Sequence, residues 1–517
     1  MAKTFLTKKN NAKSTITDNP LLSGATVLNV QTSEGTKFPS APFHATLYSS
    51  DPSVGEIVKV TTISTDQFTI ERAKENTTAQ QWPQGTRLEL LVTAKLFDDF
   101  QTRTEVIVAT DGSGDYNCDG TADQTEINEA ISNLPSGGGI VRIKRGTYNL
   151  TGVVEILKSN VILEGEGTAT LLRVANSANL GDVVRIGNGG TVSYTNITVR
   201  DFMIDGNQAN QTSGANSPLV LWGTTSYKHS KLTIENLWLT GAKQDCMKVI
   251  AIEDSVIKNC YIYSNVGTAI GLFTTSQYIS IVGNVLVSNS YGVYDNACNY
   301  NTMTGNIVRN NGYGFYISNG LRETITGNMI FTSTNYGVYL IGAQRITVTG
   351  NNFYGDSWSI VVGNSTNITK YNVITGNVIA WPTSQGIALY YGSGTTISNV
   401  VSGNHIFGAG GHGIYVYGSS YNTITGNAID NASRATNNAS NSIYLSDNGS
   451  VYSTHNVISS NNLHATQATK AQYHIREQGI NDDFNLVIGN ICKDGVTGQI
   501  SLQGVNSVRG TNIPATG

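Results

Sequence analysis

Two aspartates form the pair of carboxylates best suited to acid catalysis, Asp205 and Asp245. Acid-catalysed cleavage of a glycosidic bond requires two carboxylates, about 5–5.5 Å apart for retention and about 6.5–9.5 Å apart for inversion. Acidic residues are scarce in this part of the chain, and residues 206–230 could wall a cleft beside Asp205. We therefore predict Asp205 and Asp245 as catalytic residues. The alternative is that both are turn residues that bond nearby backbone amides.

Seven tyrosines are predicted to point outward from strands. Short alternating runs place Val293, Phe315 and Val338 inside, so the residue after each should face outward. Rigid amphipathic rings suit the faces and hydroxyls of sugars. The predicted substrate-binding residues are Tyr294, Tyr316, Tyr339, Tyr390, Tyr415, Tyr417 and Tyr444. Two alternatives are that tyrosine simply favours strands, and that the column lies in a subunit interface.

A third pattern has the spacing of a calcium loop. Oxygen-bearing side chains stand at the first, third, fifth, seventh, ninth and twelfth positions, with Gly120 at the sixth. A helix is expected after the loop, but none is expected before it. The predicted ligands are Asp115, Asn117, Asp119, Thr121, Asp123 and Glu126. The alternative is that these residues cap the following helix, and no other cofactor is predicted.

The elements that must position these residues repeat along the chain. The dipeptide Gly-Asn recurs at intervals of 22, 22, 23, 26, 27 and 23 residues, and short runs of alternating pattern flank each copy. The asparagines are Asn284, Asn306, Asn328, Asn351, Asn377, Asn404 and Asn427. Such a unit cannot bury its apolar face alone, so it must stack on its neighbours as a solenoid.

The repeat predicts an all-β protein, a right-handed parallel β-helix in which the asparagines form a hydrogen-bonded column at a corner. Each amide can donate to one neighbour and accept from the other, and the preceding glycine permits a positive φ. A relaxed pattern extends the column to Asp201, Asn236, Asn259, Asn461 and Asn490. The alternative is an asparagine-rich antiparallel sandwich.

The first part of the chain differs from the repeat. Residues 1–94 contain five short runs separated by Gly, Pro, Ser and Asp, which predicts a small antiparallel β module. Residues 95–104 are predicted to form a helical neck or linker. The β-helix is predicted over 105–505, with a capping helix near 125–134 that Asp123 or Thr125 starts, and residues 506–517 are predicted to be a tail.

Residues 106–167 resemble the opening of pectate-lyase-like β-helix domains in phage tailspikes and bacterial polysaccharide-active proteins. The segments that carry the resemblance are Asp119-Gly-Thr-Ala-Asp123, Leu134-Pro-Ser-Gly-Gly-Gly139, Arg145-Gly-Thr-Tyr148 and Val161-Ile-Leu-Glu-Gly-Glu-Gly167. In the first module, Phe38-Pro-Ser-Ala-Pro-Phe43 and Glu56-Ile-Val-Lys-Val60 look like a small β module of phage tail proteins. The resemblance implies a tailspike whose first module attaches to the virion.

A second resemblance concerns the candidate catalytic region. Gln244-Asp-Cys-Met-Lys-Val249 and Gly267-Thr-Ala-Ile-Gly271 resemble the central part of polygalacturonases, but Gln244 replaces the first Asp of their Asp-Asp pair and Thr268 replaces their His. The sequence Gly411-His412-Gly413 occurs too far along the chain to join this site. Polygalacturonase activity is therefore not expected.

Composition limits the classes of partner. The net charge is -4, with 55 Gly, 25 Tyr and 13% charged residues, which argues against nucleic acid. Five scattered cysteines indicate neither a disulfide framework nor a metal site. The first residues lack a signal-peptide pattern and no run is long enough to span a membrane, so we expect a virion protein that acts extracellularly at the host surface after release by lysis.

Together these features predict a phage tailspike-like homotrimer that recognises and depolymerises a host cell-surface polysaccharide, with a glycoside hydrolase favoured over a lyase. The expected partners are that polysaccharide and phage tail or baseplate proteins. One alternative is a non-enzymatic receptor-binding or structural tail protein. Another is a bacterial carbohydrate-active β-helix protein unrelated to phage.

Overall fold

The computed structural model describes residues 9, 12–93, 104–363, 367–390 and 396–514. The chain divides into two compact units, Met1–Arg103 and Thr104–Gly517. The predicted neck lies outside the described residues except for its last residue, Thr104. Among the described residues, no helix is long and apolar enough to cross a membrane.

The first unit is built on a six-stranded antiparallel sheet. Its strands are Lys13–Thr15, Val27–Asn29, Phe43–Tyr48, Glu56–Ser64, Gln67–Lys74 and Arg87–Glu89, with 3₁₀ turns at Gly35–Lys37 and Pro52–Val54. The fully buried Glu56 accepts hydrogen bonds from Arg72 and from Trp82 Nε1. Burial opposes ionisation of Glu56, but these bonds lower its pKa. Glu56 therefore ties together the strands that meet at this core.

The second unit is a right-handed parallel β-helix, as the repeat predicts. A typical coil has two short strands, Thr324–Thr326 and Met329–Phe331, separated by Gly-Asn, and then a longer strand, Tyr336–Ile341. The strands of this coil pair with those of its neighbours in parallel and in register, so equivalent residues of successive coils form columns. The residues predicted to point inward, Val293, Phe315, Val338, Ile414 and Ile443, are fully buried.

The strands equivalent to Tyr336–Ile341 form a 14-stranded sheet, and those equivalent to Thr324–Thr326 and Met329–Phe331 belong to a 30-stranded sheet. The 14-stranded sheet comprises Val154–Ile156, Asp182–Ile186, Ser217–Trp222, Met247–Ile250, Thr268–Phe273, Tyr291–Asn296, Tyr313–Ser318, Tyr336–Ile341, Trp358–Val362, Ile387–Tyr390, Ile414–Tyr417, Ile443–Ser446, Tyr473–Glu477 and Gly498–Ser501. The 30-stranded sheet comprises Glu105–Ala109, Tyr116–Asn117, Gly139–Ile143, Gly146–Leu150, Val161–Val174, Thr195–Asp205, His229–Glu235, Trp238–Thr240, Ile252–Lys258, Tyr261–Tyr263, Gln277–Val282, Val285–Val287, Thr302–Thr304, Ile307–Arg309, Thr324–Thr326, Met329–Phe331, Thr347–Thr349, Asn352–Tyr354, Val373–Thr375, Val378–Ala380, Val400–Ser402, His405–Phe407, Thr423–Thr425, Ala428–Asp430, Val457–Ser459, Asn462–His464, Leu486–Ile488, Ile491–Lys493, Val508–Arg509 and Ile513–Pro514. Two further strands, Thr369–Lys370 and Thr396–Ile397, pair with each other, and a 3₁₀ turn spans Gln208–Asn210. Stacking thus continues past residue 505, where the tail was predicted to begin.

The predicted asparagine ladder is present between the two short strands of each coil. Asn328 donates its backbone N–H and its Nδ2 to Oδ1 of Asn351, both at 2.9 Å, and its own Oδ1 accepts the same two bonds from Asn306. The ladder joins Asn284, Asn306, Asn328, Asn351, Asn377, Asn404, Asn427, Asn461, Asn490 and Asn512. All the polar atoms of this buried corner are therefore satisfied.

In the first coils, the residues predicted to extend this ladder lie one residue before the ladder position. Asp201, Asn236 and Asn259 have φ values of 62°, 51° and 55°, and so take the left-handed position that glycine holds elsewhere. Cys260, the next residue, donates its N–H to Asn284 Oδ1 and thus stands at the ladder position. Asparagine tolerates the left-handed region, so the sequence alone does not separate the two positions.

A helix, Gln124–Asn133, opens the solenoid close to the predicted range. Its Ile127, Ala130 and Ile131 are buried in the core of the solenoid. Asp123 is the residue before the helix, but its side chain does not cap the helix amides; it accepts from Gly120 N and Asn149 N instead. The helix thus covers the first coil, while Asp123 anchors the loop.

Candidate functional site

Seven aromatic residues of the 14-stranded sheet form one outward surface, here called the tyrosine face. In one column Tyr294 pairs with Tyr316, and Tyr316 with Tyr339. A second column runs beside it. That column contains Tyr291, Tyr313, Tyr336 and Trp358. Successive coils place these rings at the spacing of parallel strands, about 4.8 Å, so the face extends along the solenoid axis.

Contacts between the rings hold the tyrosine face in a fixed arrangement. Tyr291 and Tyr313 stack with centroids 4.9 Å apart and planes at 9°, whereas Tyr316 and Tyr339 meet edge to face at 5.1 Å. The two columns also touch, because Tyr336 meets Tyr339 at 4.6 Å. Rings packed in this way lose little further freedom when a ligand binds.

The hydroxyls of the tyrosine face have no hydrogen bond to another side chain or backbone group within the described ranges. None of the six tyrosines is fully buried, so each hydroxyl can reach solvent. Burial of the ring, followed by the neighbouring tyrosines, raises the pKa of Tyr316 to about 12. The hydroxyls therefore stay neutral at physiological pH and can both donate and accept hydrogen bonds.

The predicted single column of tyrosines is interrupted. Tyr339 is followed in register by Val361 and Ala388, which are buried, before Tyr415 and Tyr444 continue the same column. The predicted substrate-binding residues therefore fall into two groups, one on the tyrosine face and one nearer the last coils. In the second group, Tyr390 stacks on Tyr417 with centroids 4.8 Å apart.

Two hydroxyls of the second group, those of Tyr415 and Tyr444, are already engaged. Ser446 Oγ donates to Tyr415 Oη at 3.1 Å, and Tyr444 Oη donates to Gln478. Arg476 continues this column and its guanidinium lies 5.9 Å from the ring of Tyr444. This second group is thus less available to a ligand than the tyrosine face.

The two predicted catalytic aspartates occupy successive turns between the sheets. Asp205 ends the strand Thr195–Asp205, where its carboxylate accepts from Asn207 N at 2.7 Å and lies 3.4 Å from Arg173 Nε. Asp245 accepts from Thr268 N at 3.0 Å. Both carboxylates therefore accept backbone N–H groups, as the alternative interpretation proposed, although Thr268 begins a strand. Their catalytic role stays a prediction.

A different group of carboxylates lies beside the second tyrosine group. Both oxygens of Asp482 accept backbone N–H groups, from Ser453 and from Gly479. Burial, and then the charges of Asp447 and Glu477, raise the pKa of Asp482 to about 6. Glu477 is fully buried and accepts from Gly504 N among others, so Asp447 is the accessible member of the group.

Behind the tyrosine face lies a buried pair of carboxyls, Asp295 and Glu323. Asn301 Nδ2 donates to both, at 3.1 and 3.0 Å, and Cys298 N donates to Asp295. Burial raises the pKa of Asp295 to about 6, and burial together with Asp295 raises that of Glu323 well above its usual range. Both carboxyls are therefore enclosed in the solenoid, where burial favours their protonated forms, and neither has access to a surface ligand.

The predicted calcium ligands do not converge on one point. Asp115 and Asp119 accept backbone N–H groups, from Ile107 and Thr121, and Asn117 accepts that of Gly114. Both oxygens of Asp123 are likewise used. The potential ligand atoms that lie together belong to Cys118, Asp123 and Glu126. Burial raises the pKa of the Cys118 thiol to about 12, and a protonated thiol does not suit calcium. The loop geometry favours a structural role.

The segment that resembles polygalacturonases gives no shared site with His412. Asp245 precedes the strand Met247–Ile250, and His412 precedes Ile414–Tyr417, seven strands further along the 14-stranded sheet. His412 is packed between Tyr415 and Tyr444, and burial lowers its pKa to about 4. It is therefore a neutral, enclosed imidazole.

Sequence reasoning missed the second column of the tyrosine face. Three coils share the motif Tyr-Gly-x-Tyr, at Tyr291-Gly-Val-Tyr294, Tyr313-Gly-Phe-Tyr316 and Tyr336-Gly-Val-Tyr339. Simple alternation would turn residues three apart to opposite faces, so only the last tyrosine of each motif was predicted. The repeated motif itself was the available signal.

Comparison with known proteins supports the fold. Residues 319–480 match the family described as the right handed beta helix region. None of the curated proteins matches the sequence. With this match and the parallel coils, the chain is a right-handed parallel β-helix protein.

Similar solved structures have low sequence identity to this chain. The A-module of mannuronan C-5 epimerase AlgE6 from Azotobacter vinelandii is 18% identical, with 77% of this chain and 96% of that chain covered and a TM-score of 0.46. The surface adhesin PfbA of Streptococcus pneumoniae is 16% identical, with 67% and 93% covered and a TM-score of 0.49. The catalytic unit of the GH87 alpha-1,3-glucanase from Streptomyces thermodiastaticus strain HF3-3 is 13% identical, with 88% and 87% covered and a TM-score of 0.47.

Proposed function

We propose that this protein is a phage tailspike-like receptor-binding protein whose solenoid binds a host cell-surface polysaccharide through the tyrosine face. The observation that carries the proposal is the pair of registered aromatic columns with unengaged hydroxyls. A glycan chain lying along the solenoid axis would meet one pair of rings at each coil. The apolar ring edges and faces would pack on the sugar carbons, and the hydroxyls would exchange hydrogen bonds with sugar hydroxyls.

The fixed arrangement of the rings supports binding rather than plain strand preference. A surface that only needed β-formers would contain Val, Ile or Thr as readily as Tyr, yet these three coils repeat tyrosine at both outward positions. Aromatic rings held by their neighbours bring large contact area at low entropy cost. The same proposal places residues 1–94 at the phage tail and the chain in a homotrimer.

A binding assay with matched variants tests the proposal. The parent, the double variant Tyr316→Ala/Tyr339→Ala and the control Tyr421→Ala would be applied to an array of bacterial capsular and lipopolysaccharide glycans. Tyr421 is 57% exposed but lies outside the tyrosine face. We expect the double variant to lose at least about tenfold in affinity while the control binds like the parent. Unchanged binding by the double variant would contradict the proposal, and a change in its mass by light scattering would show a subunit interface instead.

Depolymerisation is the second candidate function, and it is favoured by Asp447 beside the second tyrosine group. Burial, Tyr390 and then Asp447 raise the pKa of Tyr417, so this carboxylate lies near a half-buried aromatic residue of the second group. With Asp482 nearby, two carboxyls with different environments are present, as acid–base chemistry requires. Release of reducing ends would be measured for Asp447→Asn, with Asp205→Asn and Asp245→Asn in parallel. Loss in the first variant alone would assign the site to Asp447.

A further inference from the structure

One corner of the solenoid carries bulky residues in a backbone conformation that favours glycine. The corner lies between the 14-stranded sheet and the 30-stranded sheet, where isolated parallel bridges keep successive coils in register. Tyr300, Arg322, Arg345 and Tyr371 follow the bridged residues and have φ values of 60°, 58°, 59° and 61°. A left-handed conformation costs about 1–2 kcal/mol for a residue other than glycine or asparagine.

The fold does not require large side chains at this corner. Ser398 holds the equivalent position with φ 56°, so a small residue fits. Aromatic neighbours recover part of the cost by stacking, as Tyr278 and Tyr300 do at 5.2 Å. Arg322 and Arg345 occupy equivalent positions on adjacent coils, and two like charges on neighbouring coils cost free energy instead. Backbone strain at Arg322 and Arg345 that no structural contact offsets indicates a functional role for these residues.

The central coils carry cations without exposed acids. Between residues 301 and 429 the sequence contains only two acidic residues, Glu323 and Asp356, and both are buried. Arg322 and Arg345 are exposed and Lys370 is half-buried. None of these three forms an ion pair within the described part of the chain. Arg322 donates to the hydroxyl of Tyr300, and Arg345 and Lys370 lie 5.8 and 5.2 Å from the ring of Tyr371.

We propose that Arg322, Arg345 and Lys370, flanked by Tyr300 and Tyr371, form a second binding site, for a linear anionic polysaccharide. The three cations stand on successive coils, about 4.8 Å apart along the solenoid axis, which suits a polymer with a charge on each sugar. Guanidinium groups bind carboxylate or sulfate through paired hydrogen bonds. The tyrosines at either end supply ring contacts and fix the orientation of the cations. The site is separate from the tyrosine face and does not depend on the function proposed for it.

Polygalacturonate and its fully methyl-esterified form are matched probes, because the ester keeps the same sugar chain while its methyl groups remove the negative charges. We expect the full chain to bind polygalacturonate at least about tenfold more tightly than the ester, with affinity that falls as salt is added. The variant Arg322→Asn/Arg345→Asn should lose about tenfold or more in affinity for polygalacturonate. Asparagine tolerates the left-handed conformation, so this variant should keep the melting temperature of the parent.

Arg309→Asn is the control, since Arg309 is an exposed cation of the same central coils in the 30-stranded sheet. It should bind polygalacturonate like the parent. If the control and the double variant lost the same affinity, the binding would depend only on net charge, and the proposal would be overturned. Equal binding by the double variant and the parent would also overturn it. Tighter binding of a DNA duplex than of polygalacturonate through the same arginines would assign the site to nucleic acid and reject the polysaccharide.

Discussion

Two corners of each coil use the same left-handed backbone with opposite side chains. At the Gly-Asn corner, glycine precedes the ladder asparagine, for example Gly327 with φ 62° before Asn328. At the other corner, Tyr421 with φ 59° precedes Asn422, a member of a second asparagine ladder. A Cβ on Gly327 would meet no atom within 4 Å. Glycine is therefore favoured at the first corner by its backbone conformation alone. At the second corner, residues with a Cβ adopt the same strained conformation.

The comparison separates what the fold needs from what it only permits. Most coils have a laddered asparagine at both corners, because its amide satisfies buried backbone groups of adjacent coils. The residue before it is open to choice, and bulky residues at the second corner stack on one another: His455 lies 4.8 Å from Tyr421 and 5.0 Å from Phe484. The differences between coils at the residue before the second laddered asparagine therefore reflect the function of the surface more than the needs of folding.

The largest expected effect concerns the interior that both corners enclose. Val338→Asp puts a charge into a dry core and should lower the free energy of unfolding by several kcal/mol, while Thr326→Asp, on an outward position of the coil, should change it by less than about 0.5 kcal/mol. Denaturant titration would measure both. Equal effects would mean that the assignment of inside and outside is wrong.

At a third corner of the solenoid, which contains Asp356, the free energy of unfolding should depend on pH. Asp356 is buried; its Oδ1 accepts from Ser333 N, and burial raises its pKa from 3.8 to about 7. Its contribution to stability is complete below about pH 4 and is lost as the pH rises to about 7, because the unfolded state releases the proton first. Across this window the parent should lose up to about 1.4 kcal/mol of stability per pH unit through Asp356, and Asp356→Asn should not show this loss. Parallel stability curves of parent and variant from pH 4 to 7 would refute this.

The next effect tests the Gly-Asn corner itself. Asn328→Ala leaves the backbone N–H of Asn306 without its acceptor and removes the bonds that Asn328 Nδ2 donates to Asn351 Oδ1 and to Met303 O, so it should cost about 1–3 kcal/mol. Thermal and denaturant unfolding would measure the loss. If the variant melts at the same temperature as the parent, the ladder does not stabilise the solenoid.

The smallest effects compare the two left-handed positions directly. Gly327→Ala should cost about 1 kcal/mol, the conformational penalty for a residue with a Cβ. Tyr421→Gly relieves a similar penalty but loses ring stacking on His455 and gains freedom in the unfolded chain, so stability should change by less than about 1 kcal/mol. A loss above about 2 kcal/mol for Tyr421→Gly would show that the second corner is a structural element after all.

Sequence predicted the fold because the Gly-Asn dipeptide marks every coil at a nearly constant interval. The second ladder was missed although asparagines such as Asn372, Asn399 and Asn422 stand five residues before those of the first. The residues before them vary, and Glu323 replaces asparagine in one coil. The Gly-Asn dipeptide made the first ladder easy to recognise. The second ladder repeats only a single asparagine, so it was overlooked.

The candidate site was only partly predictable. Alternation identified one tyrosine column. In Tyr-Gly-x-Tyr, however, both residues between the two tyrosines are buried, so the first tyrosine is on the outward side as well, which a regular strand would not allow. Val361 and Ala388 stay in register with Tyr339 and Tyr415, so the column is broken there by a change of residue type and not by a change of position. Catalytic pairing depends on distances between coils, which residue types alone do not determine.

Hydroxyl-radical footprinting of the bound complex tests the central claim most directly. The full chain would be oxidised with and without the polysaccharide that it binds most tightly in the array, and each tyrosine scored by mass spectrometry. We predict strong protection of Tyr291, Tyr294, Tyr313, Tyr316, Tyr336 and Tyr339, with Tyr421 and Tyr354 oxidised as in the free protein. Protection of Tyr421 and Tyr354 with unchanged oxidation of the tyrosine face would contradict the account.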